Sequence, residues 1–333
     1  MTTAMQSVPS FADVQAAAQR LEGVAFRTPL VRSAALDAQV GGSVLFKAET
    51  LQRTGSFKFR GAYNAISGIP EAERSRGIVA CSSGNHAQGI AAAAALYGVP
   101  ATIVMPSDAP RLKRQRTESY GARVVDYDRA TGDRDAIAAA IVSDTGGVFV
   151  APYDNAGVIS GQGTTGLELV RQADEMGLLP DIVLVPCGGG GLTAGLALAV
   201  KSLLPDTEVI TVEPEGFDDH ARSFRSGNRE HNQAKAGSIC DALMAHQPGE
   251  LTFELNRSRV TRGLAVSDAE AMAAVAYAWR ELKLVVEPGG AVGLAAILAG
   301  KADTAGRTVA VVLSGGNADP EVYARAVGAA GPD

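Results

Sequence analysis

The chain has 333 residues, 46% of them hydrophobic and 20% charged, with a formal net charge of -6. That length is more than one compact core needs and calls for two domains or one large α/β unit. The negative balance excludes a nucleic-acid or acidic-membrane partner, either of which needs clustered positive surface.

Three cysteines, Cys81, Cys187 and Cys240, stand far apart in small or apolar surroundings. They read as reduced core thiols rather than a disulfide set or a zinc site. No charged-then-apolar leader opens the sequence, and apolar runs such as 90–95 are too short to span a bilayer. A cytoplasmic protein with no membrane partner is expected.

Spacing predicts a first helix over 11–21, with Ser10 as its cap and Gly23 as its stop. A strand over 44–47 precedes the stretch Thr54-Gly55-Ser56-Phe57-Lys58-Phe59-Arg60-Gly61. Lys58 stands there between two phenylalanines, whose apolar rings disfavour its charged form and make it a candidate nucleophile. Taken alone, the same residues also describe a surface lysine whose stem covers an apolar patch.

From 56 to 149 helix and strand alternate, with helices over 57–66, 87–97, 110–120 and 133–142 and strands over 77–81, 101–105, 123–125 and 148–150. The basic run 111–116 reads as a solvated helix face. In the second half, helices are predicted over 161–176, 192–204, 268–282 and 291–298, strands over 181–186, 208–212 and 308–313, extended chain over 259–266 and a loop over 226–237. This rhythm implies an α/β fold of two domains, each a mostly parallel sheet flanked by helices.

Three polar loops follow strands. Cys187-Gly188-Gly189-Gly190-Gly191-Leu192 opens a helix, where free backbone N–H groups converge in a phosphate cradle. Ser82-Ser83-Gly84-Asn85-His86 joins a strand to an alanine-rich helix whose N-terminus favours an anion. Ser314-Gly315-Gly316-Asn317 ends the last strand. Sites at strand carboxyl ends in two α/β units place a ligand in the crevice between them. A competing reading is a dinucleotide site: Gly189-Gly190-Gly191-Leu192-Thr193-Ala194 satisfies G-x-G-x-x-A, with Glu213 about twenty residues further on. An NAD-dependent oxidoreductase would leave Lys58, the Ser-Ser-Gly-Asn-His loop and Ser314 with no task.

In order, Ser-Phe-Lys-x-Arg-Gly, Ser-Ser-Gly-Asn-His, Gly-Gly-Gly-Gly-Leu and Ser-Gly-Gly-Asn resemble the pyridoxal-phosphate (PLP) enzymes of fold type II. The likeness is nearest to threonine/serine dehydratases, serine racemases and threo-3-hydroxyaspartate dehydratases, and covers about 28–317. It implies a tryptophan synthase β-like fold of two twisted sheets. A large PLP-binding domain would comprise 1–53 and 151–333 and a small domain 54–150, with the cofactor in the interdomain cleft and a homodimer as the assembly.

The resemblance also implies roles. Lys58 would bind PLP as a Schiff base and later remove the substrate α-proton, with Phe57 packed on the ring face. Gly188, Gly189, Gly190, Gly191 and Leu192 would hold the phosphate, Asn85 the ring hydroxyl and Ser314 the pyridine nitrogen. A hydroxyl at that nitrogen, unlike a carboxylate, makes the ring a weaker electron sink, which suits elimination. Ser82, Ser83, Gly84, Asn85 and His86 would bind the substrate carboxylate. Ser83 would either return a proton on the face opposite Lys58, as in racemases, or only bind substrate. Arg134 resembles a ligand-contacting arginine of the racemase branch, a surface residue being the other reading, and Tyr153 falls in a cleft-lining segment. Glu213, Phe217 and Asp219 match a Mg2+ or Ca2+ site of two carboxylates and a backbone carbonyl, or else form an acidic surface loop. Ala242 stands where relatives often carry a glycine against the cofactor ring.

The implied activity is that of a dehydratase (ammonia-lyase) for threonine, serine or threo-3-hydroxyaspartate, a small-molecule amino acid giving a 2-oxo acid and ammonia. A serine or aspartate racemase on the same fold is the alternative. Only a short tail follows Asn317, so the regulatory domain of biosynthetic threonine deaminases, and feedback by isoleucine, are not expected.

Overall fold

Apolar runs of four to seven residues form the central strands of two sheets, and burial on both faces explains their composition. The computed structural model describes residues 7–234 and 236–329. The larger sheet comprises β1 (Leu30–Val31), β2 (Ser43–Ala48), β7 (Ile182–Pro186), β8 (Glu208–Pro214), β9 (Arg262–Val266) and β10 (Thr308–Leu313). Its spatial order is β1-β2-β10-β7-β8-β9, and only the β1–β2 pair is antiparallel. The smaller sheet comprises β3 (Ile78–Cys81), β4 (Ala101–Pro106), β5 (Arg123–Tyr127) and β6 (Val148–Phe149), all parallel in the order β5-β4-β3-β6. Parallel register sends Ser82, Cys187 and Ser314, which follow β3, β7 and β10, out of the carboxyl ends of their sheets.

Helix Lys58–Ser67 packs Phe59, Ala62 and Ile66 into the core of the smaller sheet. Its orientation is fixed from the other side by Arg60. This fully buried guanidinium pairs with Glu49 at 2.8 Å and Glu168 at 2.7 Å, on helix Ala156–Glu175. Burial opposes its charge, but the two carboxylates more than offset this and raise its pKa.

Several elements differ from the sequence reading. The helix expected at 161 begins at Ala156, with Asn155 capping it by accepting from the Val158 N–H at 2.9 Å. Short helices Ala34–Val40, Asp219–Ser226 and Glu250–Asn256 and a last helix Pro320–Ala329 were not expected. The helix over 268–282 is α-helical only to Tyr277 and finishes in a π-turn, Ala278–Leu282, closed by Lys283 at φ 57. The basic run is not simply a solvated face: on helix Arg111–Ser119, Lys113 is 3% exposed. Among the described residues no helix is long and apolar enough to cross a membrane. The three cysteines are free and buried, and burial pushes the thiols of Cys81 and Cys240 up to about 11 and about 12.

Candidate active site

One cavity of about 660 Å³ opens between the carboxyl ends of the two sheets. It gathers Phe57, Lys58, the loop Ser82, Ser83, Gly84, Asn85 and His86, Arg134, Tyr153, the loop Gly188 to Leu192, Ala242 and Ser314. Thus the Lys58 stretch and all three polar loops meet in one place, although the sequence separates them by more than 200 residues. Glu213, Phe217 and Asp219 stand outside this wall.

The two phenylalanines beside Lys58 diverge. Phe59 is buried against Tyr63, while the Phe57 ring lies 5.2 Å from the Lys58 Nζ. Lys58 donates to the Pro152 carbonyl at 2.7 Å, and burial pulls its pKa down from 10.5 to about 8. A neutral amine is therefore accessible near physiological pH, which a nucleophile or base requires.

The Ser82 to His86 loop leads into helix Asn85–Tyr97. Its first-turn N–H groups lack intrahelical acceptors and make an anion site at the cavity wall. The side chains are less free than the sequence implied. Asn85 donates to Glu287, and its Oδ1 accepts from Asn317 at 2.8 Å, leaving one amide hydrogen uncommitted. His86 Nε2 lies 3.1 Å from the Val150 carbonyl; burial, then the Lys58 charge, push its pKa down to about 3. It is neutral at pH 7.

The glycine loop can be oriented from its carbonyls. The Gly189 carbonyl accepts from Thr252 Oγ1 at 2.7 Å and from the Gly249 N–H at 3.3 Å; the Gly190 carbonyl accepts from the Ala194 N–H at 2.8 Å. In a trans peptide the N–H points opposite its carbonyl, and no cis bond occurs among the described residues. The Gly190 N–H therefore turns away from helix Glu250–Asn256 and the Gly191 N–H away from the body of helix Gly191–Leu203, each toward the cavity that both glycines line. Their need for glycine comes first from the protein's own packing. A Cβ on Gly189 would lie 2.4 Å from the Tyr153 ring, and Gly190 has φ 92.

Sequence reasoning missed a charged cluster on the same wall. The Lys113 ammonium meets Asp241 at 2.6 Å and Glu287 at 3.5 Å, bridging a helix of the smaller-sheet half to two segments of the larger. Burial opposes the Lys113 charge, but the Glu287 and Asp241 carboxylates raise its pKa. Glu287, 2% exposed, is pushed upward by burial. The local signal, a glutamate before Pro288-Gly289-Gly290, reads as an ordinary helix start.

Glu213 and Asp219 form a second, separate acidic site. Both Glu213 oxygens accept backbone N–H groups, from His220 at 2.9 Å and Ala221 at 2.8 Å, so this carboxylate caps helix Asp219–Ser226. It is fully buried and stands outside the cavity lining, out of reach of a ribose hydroxyl bound there, which overturns the dinucleotide reading. Burial, then Asp219, push Glu213 upward; burial takes Asp219 up to about 7. Asp219 Oδ1 accepts from Asn232 at 2.6 Å, while Oδ2 has no partner among the described residues.

The sequence profile of a family described as "Pyridoxal-phosphate dependent enzyme" matches residues 21–315. The chain is 46% identical over 315 residues to the L-threo-3-hydroxyaspartate ammonia-lyase of a Pseudomonas species, spanning 95% of this chain and 97% of that one. It is 43% identical over 318 residues to the enzyme of the same name from Saccharomyces cerevisiae, spanning 95% and 96%. The structure of maize serine racemase superposes with a TM-score of 0.90 at 35% identity, over 97% of this chain and 98% of that one. A buried lysine with a lowered pKa, a glycine loop with its N–H groups turned inward and matches over nearly the whole length lead to one assignment: the chain belongs to the pyridoxal-phosphate dependent enzyme family.

Proposed function

We propose that this protein is a PLP-dependent ammonia-lyase that eliminates water from β-hydroxy-α-amino acids, with threo-3-hydroxyaspartate as its preferred substrate. The observation that carries this reading is the placement of Lys58, the Ser82 to His86 loop and Arg134 on one cavity: a base and two candidate anion sites in a shared space. The residues fit the cofactor, since the Lys58 amine faces the cavity with burial alone shifting its pKa, and the Gly190 and Gly191 N–H groups turn into the same space.

When bound, PLP supplies an electron sink conjugated to the substrate α-carbon. The chain does the rest. Gly188 to Leu192 would hold the phosphate, Phe57 would face the ring, and Asn85, through its uncommitted hydrogen, and Ser314 would serve the ring hydroxyl and the pyridine nitrogen. The Ser82 to His86 loop binds the α-carboxylate, and Arg134 binds a carboxylate on the β-carbon. The neutral Lys58 amine takes the α-proton. The C–H electrons become a C=C bond as the C–O electrons leave with the β-hydroxide, and the released enamine tautomerises and hydrolyses to a 2-oxo acid and ammonia.

The same reading assigns 54–150 to the smaller domain and 1–53 with 151–333 to the larger, in a cytoplasmic homodimer. It also assigns Asp219, Glu213 and the Phe217 carbonyl to a divalent cation such as Mg2+ or Ca2+. Support comes from the orphaned Asp219 Oδ2 beside a second carboxylate; the Glu213 oxygens have one acceptor site each left to give. Exhaustive chelation is expected to lower the melting temperature, with Mg2+ or Ca2+ restoring it; superimposable melting curves would remove the cation. Because Ser83 lines the cavity with Lys58, slow racemisation is a second expected activity, read as D-serine formed from L-serine and lost in Ser83→Ala.

Side-by-side kinetics on threonine, serine and both 3-hydroxyaspartate diastereomers, following 2-oxo acid and ammonia, tests the main reading. Release from the threo diastereomer at the highest kcat/KM is expected. No oxo acid from any of the four would overturn it.

A further inference from the structure

Behind the glycine loop lies a buried polar group that the proposed reaction does not use. His220, in the first turn of helix Asp219–Ser226, is fully buried, and its ring lies directly under Gly190. A Cβ built on Gly190 would come within 2.6 Å of His220 Cε1 and 3.0 Å of Asn256 Nδ2. From helix Glu250–Asn256 the same Asn256 nitrogen donates to the Gly190 carbonyl at 3.4 Å. The residue is itself anchored: the His220 backbone N–H donates to Glu213 at 2.9 Å, and the imidazole packs on Phe224 with centroids 5.7 Å apart.

Gly190 is in the left-handed region at φ 92, a conformation that glycine tolerates but does not prefer over its alternatives. Something must select it. The groups that crowd it on the side where a Cβ would stand are His220 and Asn256, neither of which lines the cavity. We propose that His220 and Asn256 are positioning residues that together clamp Gly190 from that side and so keep the Gly190 and Gly191 N–H groups aimed at the cofactor's phosphate. This rests on the PLP reading above. Without the clamp the loop samples its other conformations, and phosphate binding must first re-order it, so affinity falls although no direct contact has been removed.

The test is a comparison of two ligands on the apoprotein, PLP and pyridoxal, which lacks the phosphate, with Kd read by absorbance. Because outer partners of a binding shell change affinity by about ten- to hundredfold, His220→Ala is expected to raise the Kd for PLP by that factor while leaving the Kd for pyridoxal unchanged. Asn256→Ala, which removes one long hydrogen bond, is expected to give a smaller loss of the same kind. Equal losses for both ligands would mean a merely structural role, and an unchanged PLP-to-pyridoxal ratio would overturn the clamp. If His220→Ala does not fold, an unchanged ratio in Asn256→Ala overturns it as well. Wild-type apoprotein that fails to prefer PLP over pyridoxal would instead overturn the cofactor reading.

Discussion

The Arg60 guanidinium and the Glu49 carboxylate meet in a fully buried two-point pair, Nε to Oε2 and Nη2 to Oε1, each at 2.8 Å. Arg60 stands two residues after Lys58, on the first turn of the same helix, so this pair helps to fix the direction in which Lys58 leaves the backbone. Removing one partner leaves the other charge buried and uncompensated. Arg60→Met is therefore expected to lower unfolding stability by about 3 to 5 kcal/mol, read from the midpoint of a urea curve. Burial works against the Glu49 charge, but Arg60 and Lys47 outweigh it and hold its carboxyl below 4.5. Its contribution is thus present above about pH 4.5 and lost as pH falls further, and the variant should lose that part of the acid dependence. A variant as stable as wild type at pH 7 would mean that the pair is dispensable.

Lys58 carries the second prediction. A lysine amine captures an aldehyde only in its neutral form, and here burial brings the pKa to about 8 rather than 10.5. The rate at which apoprotein captures PLP should rise with pH and level off just above pH 8, where an ordinary lysine would still be gaining. Stopped-flow absorbance reads this directly. A rate still climbing at the ordinary lysine value would contradict the burial argument, and an active Lys58→Ala protein would remove Lys58 from the chemistry.

Lys113 carries the third. In Lys113→Met, Glu287 keeps its burial and loses the only cation paired with it among the described residues, so its pKa, already raised, rises further. A carboxyl whose folded pKa lies above its unfolded value supports folding at low pH and opposes it as pH rises. The variant should therefore be destabilised little at pH 5 and by about 3 to 5 kcal/mol at pH 8, where an unpaired buried charge is enforced. Adding Glu287→Gln should recover most of that loss, and a double variant no better than the single one would exclude Glu287 as the cause.

These predictions divide by how far the sequence revealed their residues. Lys58 and the glycine loop were legible because their signals are local: apolar neighbours on either side, a strand before and a helix after. Lys113 was not, since helix Arg111–Ser119 is polar on nearly every face and only tertiary packing decides which lysine turns inward. Helices Glu250–Asn256 and Asp219–Ser226 were missed for a related reason. Their N-terminal N–H groups are held by Asp154, far off in sequence, and by Glu213 at the end of the preceding strand, not by the side chain of a capping residue next to them. The buried strands, by contrast, announced themselves by composition, and the parallel order followed from their alternation with helices.

The last prediction concerns substrate choice. Threonine, serine and threo-3-hydroxyaspartate share the α-carboxylate, amine and β-hydroxyl, so discrimination must come from what meets the group on the β-carbon. For hydroxyaspartate that group is an anion, and it needs a cation not already committed. Lys113 is paired with two carboxylates and buried, so it is spent. Arg134 lines the cavity at the start of helix Arg134–Thr145, with its side chain 51% exposed and only a loose contact to Asp135 at 3.6 Å. Exposed pairs of that kind contribute little, which leaves the guanidinium free to take a substrate carboxylate. A charge-assisted bond of about 1.5 to 3 kcal/mol corresponds to roughly a ten- to hundredfold change in relative kcat/KM. Arg134→Ala should lose that factor for threo-3-hydroxyaspartate and change threonine turnover little. The two specificity constants, measured on one enzyme preparation, decide the matter: if their ratio is the same in wild type and variant, Arg134 does not read the β-carboxylate and another group on the cavity wall must.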